Sequence, residues 1–261
     1  MTDYENIPDE LRLLSQWVCV RADSKAPMQT FCNAAASSTD PRTWSCFADA
    51  WSDVIHGPYD YIGFVFNNNG IVGIDIDAGY DEDGFISALA ADIIVSCESY
   101  TEKSRSGRGF HVLVKGDLPF KGKNNLRGVE IYKQARYFIM TGNVVLYPDL
   151  IENQAAIDYI VDKYFPEMRE SETGKSSGPR IYTPIWERPR ERIKLRPVYP
   201  RIPDGSRNIC LTSLAGMLHN QGYSPAQIRD ELLYCNTVAC DPMLPAREVE
   251  SIVKSVVRYK R

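Results

Sequence analysis

The chain has 261 residues, 44% of them hydrophobic and 25% charged, with a formal net charge of −4. These proportions are those of soluble globular proteins and exclude a wholly disordered, collagenous or disulfide-scaffold chain. No run approaches the roughly 20 apolar residues of a membrane-spanning helix, and the acidic start MTDYENIPDE is unlike a secretory leader, so a cytoplasmic protein without membrane contact is expected.

In chain order, the first predicted helices lie near Pro8–Leu14 and Ser45–His56. Tyr61–Phe66 and Ile71–Asp77 are apolar, β-rich runs joined by Asn67, Asn68, Asn69 and Gly70, which tolerate the positive φ of a tight turn, so a β-hairpin is expected. A helix near Gly84–Ser96 follows, then strands near Ser99–Lys103, Phe110–Lys115, Val129–Tyr132 and Tyr137–Thr141. Strands interrupted by single helices indicate an α+β domain with a mixed sheet over residues 1–166. Prolines between 167 and 203 are too closely spaced for a helix or a central strand, which makes that Pro/Arg-rich stretch a linker. Residues 204–261 read as a small three-helix domain. Its first helix covers Ser206–Asn220 and stops before Gly222; the second opens with Ser224, Pro225 and Gln227 in the pattern of a capping box. The third, over Pro245–Tyr259, carries Val249, Ile252, Val253 and Val256 as a core stripe.

Charge divides unevenly along this plan. Residues 1–166 carry 14 Lys and Arg against 23 Asp and Glu, a balance of −9, whereas 167–261 carry 16 against 11, a balance of +5. A basic segment beside an acidic domain points to a polyanionic partner for that segment, or to a solvated charged linker. The seven cysteines are odd in number and form no C-x-x-C pair, so buried, reduced thiols are expected; a zinc site from Cys210, His219, Cys235 and Cys240 fits no common finger spacing.

Asp75 and Asp77 stand two apart at a strand end, on one face, while Val72, Ile74 and Ile76 take the other. Two like charges on one sheet face repel unless a cation neutralises them, and oxygen-only ligands suit Mg²⁺ or Mn²⁺; a plain solvated face is the alternative. In Gly128-Val129-Glu130-Ile131-Tyr132 the alternation turns Glu130 away from the core, as a third carboxylate. Such a trio could hold the two ions, about 3.5–4 Å apart, that serve phosphoryl or nucleotidyl transfer. The loop Ser104-Arg105-Ser106-Gly107-Arg108-Gly109 leads into Phe110-His111. Gly107 and Gly109 let amides approach an anion, Ser106 and His111 can donate to it, and Arg105 or Arg108 can neutralise it; a solvated basic turn with a surface histidine is the other possibility. Arg136, opposite in face to Tyr137 and Ile139, could reach the same site. Gly174-Lys175-Ser176 lacks the earlier glycine of a P-loop, the glycine of Asp75–Gly84 is out of register for a calcium loop, and Asp75-Ile76-Asp77 lacks the βαβ surroundings of a haloacid-dehalogenase phosphatase.

The order of these pieces carries more than any one of them. Gly73-Ile74-Asp75-Ile76-Asp77, then Ser106-Gly107-Arg108-Gly109-Phe110-His111, then Glu130-Ile131-Tyr132 with Arg136-Tyr137-Phe138 and Thr141-Gly142, resembles the archaeo-eukaryotic primase superfamily, and within it the primase-polymerase domains of phages and plasmids. The resemblance covers most of residues 7–166, including Gln16-Trp17-Val18 and Asp40-Pro41-Arg42-Thr43-Trp44, and residues 204–261 resemble the helical primase C-terminal domain. It implies a template-directed nucleotidyltransferase in which Asp75, Asp77 and Glu130 hold Mg²⁺ or Mn²⁺, while His111 with Ser106, and less directly Arg136, bind the incoming triphosphate. Single-stranded DNA and nucleoside triphosphates are then the expected partners; the sequence given has no P-loop, so a separate helicase is a further expected partner if the chain is complete, the alternative being a longer helicase fusion. A catalytically inactive DNA-binding module of replication and a metal-dependent nuclease are the competing expectations.

Overall fold

The computed structural model describes residues 2–77, 79–124, 128–168 and 199–258. Its strands are β1 (Trp17–Val20), β2 (Pro27–Met28), β3 (Tyr61–Asn67), β4 (Ile71–Ile76), β5 (Thr101–Lys103), β6 (Phe110–Lys115), β7 (Gly122–Asn124), β8 (Val129–Tyr132) and β9 (Gln134–Met140). They form a four-stranded sheet in the order β2-β1-β3-β9 and a five-stranded sheet in the order β5-β6-β4-β8-β7. The α+β class holds, but the single mixed sheet does not. There are two sheets, and every strand ladder in them is antiparallel.

The expected hairpin is corrected for the same reason. β3 and β4 belong to different sheets and do not pair. Ile62–Phe66 is buried throughout, and so is Ile71–Ile74; a strand apolar on both sides needs cover on both sides. Stacking one strand over the other supplies it. Asn68 and Gly70 take positive φ as a turn requires, yet the Asn68 N–H donates to Lys133 and the Gly116 N–H donates to the Gly70 carbonyl, so the turn bridges sheets. Gly73 has no side chain where one would collide with Phe66 and Phe138 of the facing sheet, and this lets the layers close.

On the four-stranded sheet, Trp17, Cys19, Ile62, Phe64, Phe66, Phe138 and Met140 build a core with Leu11 of α1 (Asp9–Arg12), Phe47 of α2 (Phe47–His56), Leu113 of β6 in the other sheet, and Tyr100 just before β5. The five-stranded sheet turns Val72, Ile74, Ile76, Phe110, Val112, Val129 and Ile131 to the opposite side, against α3 (Ala88–Cys97) and α4 (Gln154–Tyr164). α3 starts later than predicted because Ser87, not Gly84, caps it through the Ala90 N–H.

α5 (Arg207–Asn220), α6 (Pro225–Ala239) and α7 (Ala246–Val257) pack together around Leu211, Ile228, Leu232, Val249, Ile252, Val253 and Val256. The capping box is present in both directions, Ser224 Oγ accepting from Gln227 N–H and the Gln227 side chain accepting from Ser224 N–H. This bundle rests on α3, where Val95 joins its core. Arg229 of α6 also donates to both oxygens of Glu98, at 2.5 and 2.7 Å, and to Glu250 of α7 at 3.0 Å. The stretch read as a linker, 167–203, lies outside the described residues except at its ends, as does Tyr259 at the end of the last predicted helix. All seven cysteines are free, and not all are buried: Cys19, Cys97, Cys235 and Cys240 are, whereas Cys32 and Cys210 are exposed. No helix among the described residues is long and apolar enough to cross a membrane.

Candidate active site

Register assembles the site. Asp75 on β4 lies opposite His111 on β6 and opposite Glu130 on β8; His111 lies opposite Glu102 on β5, and Glu130 opposite Asn124 on β7. One rung across all five strands therefore reads Glu102, His111, Asp75, Glu130, Asn124, on the face opposite the isoleucine and valine core. Direct cross-strand neighbours put their Cβ atoms about 4.5–5.5 Å apart, so these side chains must interact. Asp77 follows just beyond the strand, its N–H held by the Gly128 carbonyl, and is exposed.

The face carrying Asp75 was expected to be open, but the other sheet partly covers it. Phe138 of β9 stacks on the His111 ring at 4.7 Å between centroids, and the side chains of His111 and Asp75 are only 7% and 22% exposed. Burial raises the proton affinity of Asp75 above the ordinary carboxylate value; Asp77 and Glu130 add to this, and His111 and Arg136 oppose it. For His111, burial disfavours the cation, but the Glu102 hydrogen bond and the charges of Asp75, Glu102 and Asp77 outweigh it, and its pKa is raised. Its Nε2 lies 3.8 Å from Asp75 Oδ1, and its Nδ1 lies 3.0 Å from Glu102 Oε1.

Glu102 escaped the sequence reading, as did Tyr100. The Glu102 side chain is fully buried, and accepts from Tyr100 Oη at 2.8 Å, Thr141 N–H at 3.1 Å and Gly142 N–H at 2.8 Å. Thr141-Gly142 thus meets the histidine's partner through its amides. A Glu between Thr101 and Lys103 at a sheet edge looks solvent-facing in sequence; only its pairing opposite His111 gives it away.

The remaining expected residues divide. Ser106 Oγ accepts from the Arg108 N–H at 3.2 Å and the Gly107 N–H donates to the Ser104 carbonyl, so both shape their own turn, with Gly107 at φ +71°. Gly109 serves packing: a side chain there would strike the Ile76 carbonyl, so its lack of one lets the loop lie against β4. Arg136 reaches Glu130 at 2.8 Å, and Glu130 also accepts from Asn124 at 2.8 Å and from Tyr132 at 3.0 Å.

These groups surround a cleft of about 340 Å³ whose walls include Asp75, Asp77, His111, Lys25, Arg105, Arg108 and Arg136. Arg105 lies over the Tyr61 ring at 5.2 Å and donates to the Ala22 carbonyl, while Tyr137 Oη donates to the Lys25 carbonyl, which ties the 22–25 segment to the rim. A larger cleft of about 450 Å³ between residues 80–86 and 237–245 is mainly apolar and lacks these carboxylates. The donor set beside the smaller cleft is oxygen-only and anionic, and a buried Asp75 under the influence of two further carboxylates is a place where a divalent cation relieves repulsion. Asp75 and Asp77 fit that requirement. Among the described residues no three His, Cys, Asp or Glu side chains are close enough as they stand to hold a metal ion, and Glu130 has both oxygens engaged. That holds equally for Cys210, Cys235, Cys240 and His219.

Residues 196–261 match the family described as Primase C terminal 1 (PriCT-1). The chain is also 33% identical over 139 residues to a protein named DNA Primase-polymerase from Nitratiruptor phage NrS-1, a match covering 50% of this chain and 19% of that one. The chain thus spans about a fifth of that relative's length. The matched C-terminal segment and the phage relative agree with the ordered motifs: the chain is similar to a phage primase-polymerase over about half its length, and its residues 196–261 are similar to the primase C-terminal family.

Proposed function

We propose that the chain is a template-directed DNA primase-polymerase that transfers nucleotides from triphosphates to a 3′-hydroxyl on a single-stranded DNA template. The observation that carries this is the rung Glu102-His111-Asp75-Glu130, from which His111 and Asp75, joined by Asp77, line a cleft with a cationic rim. Acidic groups alone would repel a triphosphate, and a cationic rim alone would bind any polyanion. Side by side they sort one substrate into two parts: the rim takes the phosphate chain and the carboxylates take its counterions.

Asp75 and Asp77 would hold Mg²⁺ or Mn²⁺, with Glu130 as the third carboxylate once Arg136 turns from it to phosphate. Two bound ions supply activation of the attacking hydroxyl and neutralisation of the leaving phosphate. The protein's own residues do the rest. His111 points Nε2 to the Asp75 side, within reach of a phosphate oxygen in the cleft, and Phe138 keeps its ring from rotating away. Arg105, Arg108 and Lys25 offset phosphate charge, and Arg105 is pre-set by its contact with Tyr61. The basic residues of 167–261 would hold the template through phosphate contacts that are salt-sensitive and tolerant of sequence.

The test is primer synthesis and primer extension on single-stranded templates with each divalent cation, for the wild type and for Asp75→Ala with Asp77→Ala. Metal-dependent synthesis lost in the double variant is the expected result. DNA binding without synthesis in the wild type would make the chain an inactive replication module, and DNA degradation without triphosphates would make it a nuclease.

A further inference from the structure

Glu102 is the one buried carboxylate next to the cleft that the proposed chemistry leaves without a task, and its surroundings are unusually one-sided. Four groups converge on it: the Tyr100 hydroxyl, the backbone N–H groups of Thr141 and Gly142, and His111 Nδ1. The two amides can only donate. A buried carboxylate that receives them costs little to keep, whereas one stripped of them would be expensive. Gly142 is part of the arrangement: it takes φ +70°, and a side chain there would run into the Asp3 carbonyl, so the chain can present its N–H to Glu102 only with glycine at that position.

We infer that Glu102 is a positioning residue that keeps a proton on His111 Nδ1, fixes the ring plane and so aims Nε2 into the cleft; with Nε2 protonated as well, the ring donates to a phosphate oxygen while Nδ1 donates to Glu102. An imidazole opposite an acceptor-only group donates to it, and which ring nitrogen faces outward is then decided by that hydrogen bond. The ring is held in three ways: end-on by Glu102 at 3.0 Å, flat against Phe138 at 4.7 Å, and by the register that sets Glu102 opposite His111. Rotation of the ring by half a turn would bring carbon atoms to Glu102 and break the bond. The inference depends on the nucleotidyl-transfer proposal only for what Nε2 touches; the Nδ1–Glu102 bond itself does not.

Two measurements on the full chain test it. The ¹⁵N shifts of the His111 ring nitrogens, assigned by comparison with His111→Ala, should show protonated Nδ1 in the wild type. Glu102→Gln keeps size and shape but can offer an N–H to Nδ1, so the Nδ1-protonated population should fall sharply. In nucleotide incorporation, Glu102→Gln should raise KM for the triphosphate at least about tenfold with a smaller effect on kcat, and should add nothing in a His111→Ala background. A wild-type ring protonated on Nε2 alone, or effects of the two substitutions that multiply, would overturn the inference. If Glu102→Gln fails to fold, Tyr100→Phe removes one donor to Glu102 and should produce the same changes in weaker form; no change in ring shifts would count against it. Should the Nδ1 proton depend on Glu102 while His111→Ala leaves KM unchanged, the positioning role stands and the assignment of His111 to triphosphate falls.

Discussion

Asp75 shows how a single residue can be ill-suited to the fold and suited to the site. Its neighbours bury it and surround it with negative charge, so its folded pKa exceeds its unfolded value. The ionised form is therefore a cost to folding that is absent below the unfolded pKa of about 3.9, grows as pH rises toward the folded value, and is fully present above it. Asp75→Asn should remove that cost. In metal-free buffer its midpoint of thermal unfolding should match the wild type near pH 3 and exceed it at pH 7, while synthesis falls by on the order of 10²–10³-fold or more. A variant less stable than wild type at pH 7 would contradict the electrostatic account. Gly109 makes the opposite case, a residue required by packing. Gly109→Ala would force the loop off the Ile76 carbonyl and should lower stability by about 1–3 kcal/mol in denaturant unfolding. Part of the site was legible at this scale: alternation turned Asp75 and Glu130 away from the core, and strand register then sets both on one rung with His111. Glu102 was not, because its burial comes from Thr141 and Gly142 folding over the sheet edge, a contact across 39 and 40 residues.

Elements were legible in proportion to their local signals. The α6 N-terminus, where Ser224, Pro225 and Gln227 leave little alternative, formed as read. Ser224→Ala should cost about 1 kcal/mol and lower the midpoint of unfolding by a few degrees, with α6 amides exchanging faster than those of α3. Equal loss of protection in both helices would mean that the cap supports more than its own helix. The β3–β4 turn shows the limit. Asn68 and Gly70 do take positive φ, but the same residues serve a hairpin and a step between stacked sheets, and the choice rests on what covers each strand, a property of distant residues such as Phe138.

At the scale of the whole molecule, the core behind the five-stranded sheet and that of the C-terminal helices are linked through α3, which presents Ile93 and Ile94 to the first and Val95 to the second. The charge pattern then acquires a geometry: a cationic rim on an otherwise acidic N-terminal region, while the described C-terminal residues 199–258, docked behind the sheet, carry six basic and six acidic side chains. If Arg105 and Arg108 contact single-stranded DNA or triphosphate, Arg105→Ala or Arg108→Ala should weaken binding on all sequences alike. For a DNA-phosphate contact, each should reduce the slope of log K against log salt by about 0.7. An unchanged slope together with a raised KM for triphosphate would place that arginine on the nucleotide instead.

The rung has one further consequence. Five separate strands each lend one side chain to it, and in a pleated sheet a strand displaced by a single residue sends its contribution through to the other side, among the isoleucines and valines. Under the proposed function, activity would be an all-or-none report on alignment: a molecule with one of these strands out of step would lose the assembled site and bury a polar or charged side chain in hydrocarbon at the same time, so misassembled copies would be silent as well as short-lived.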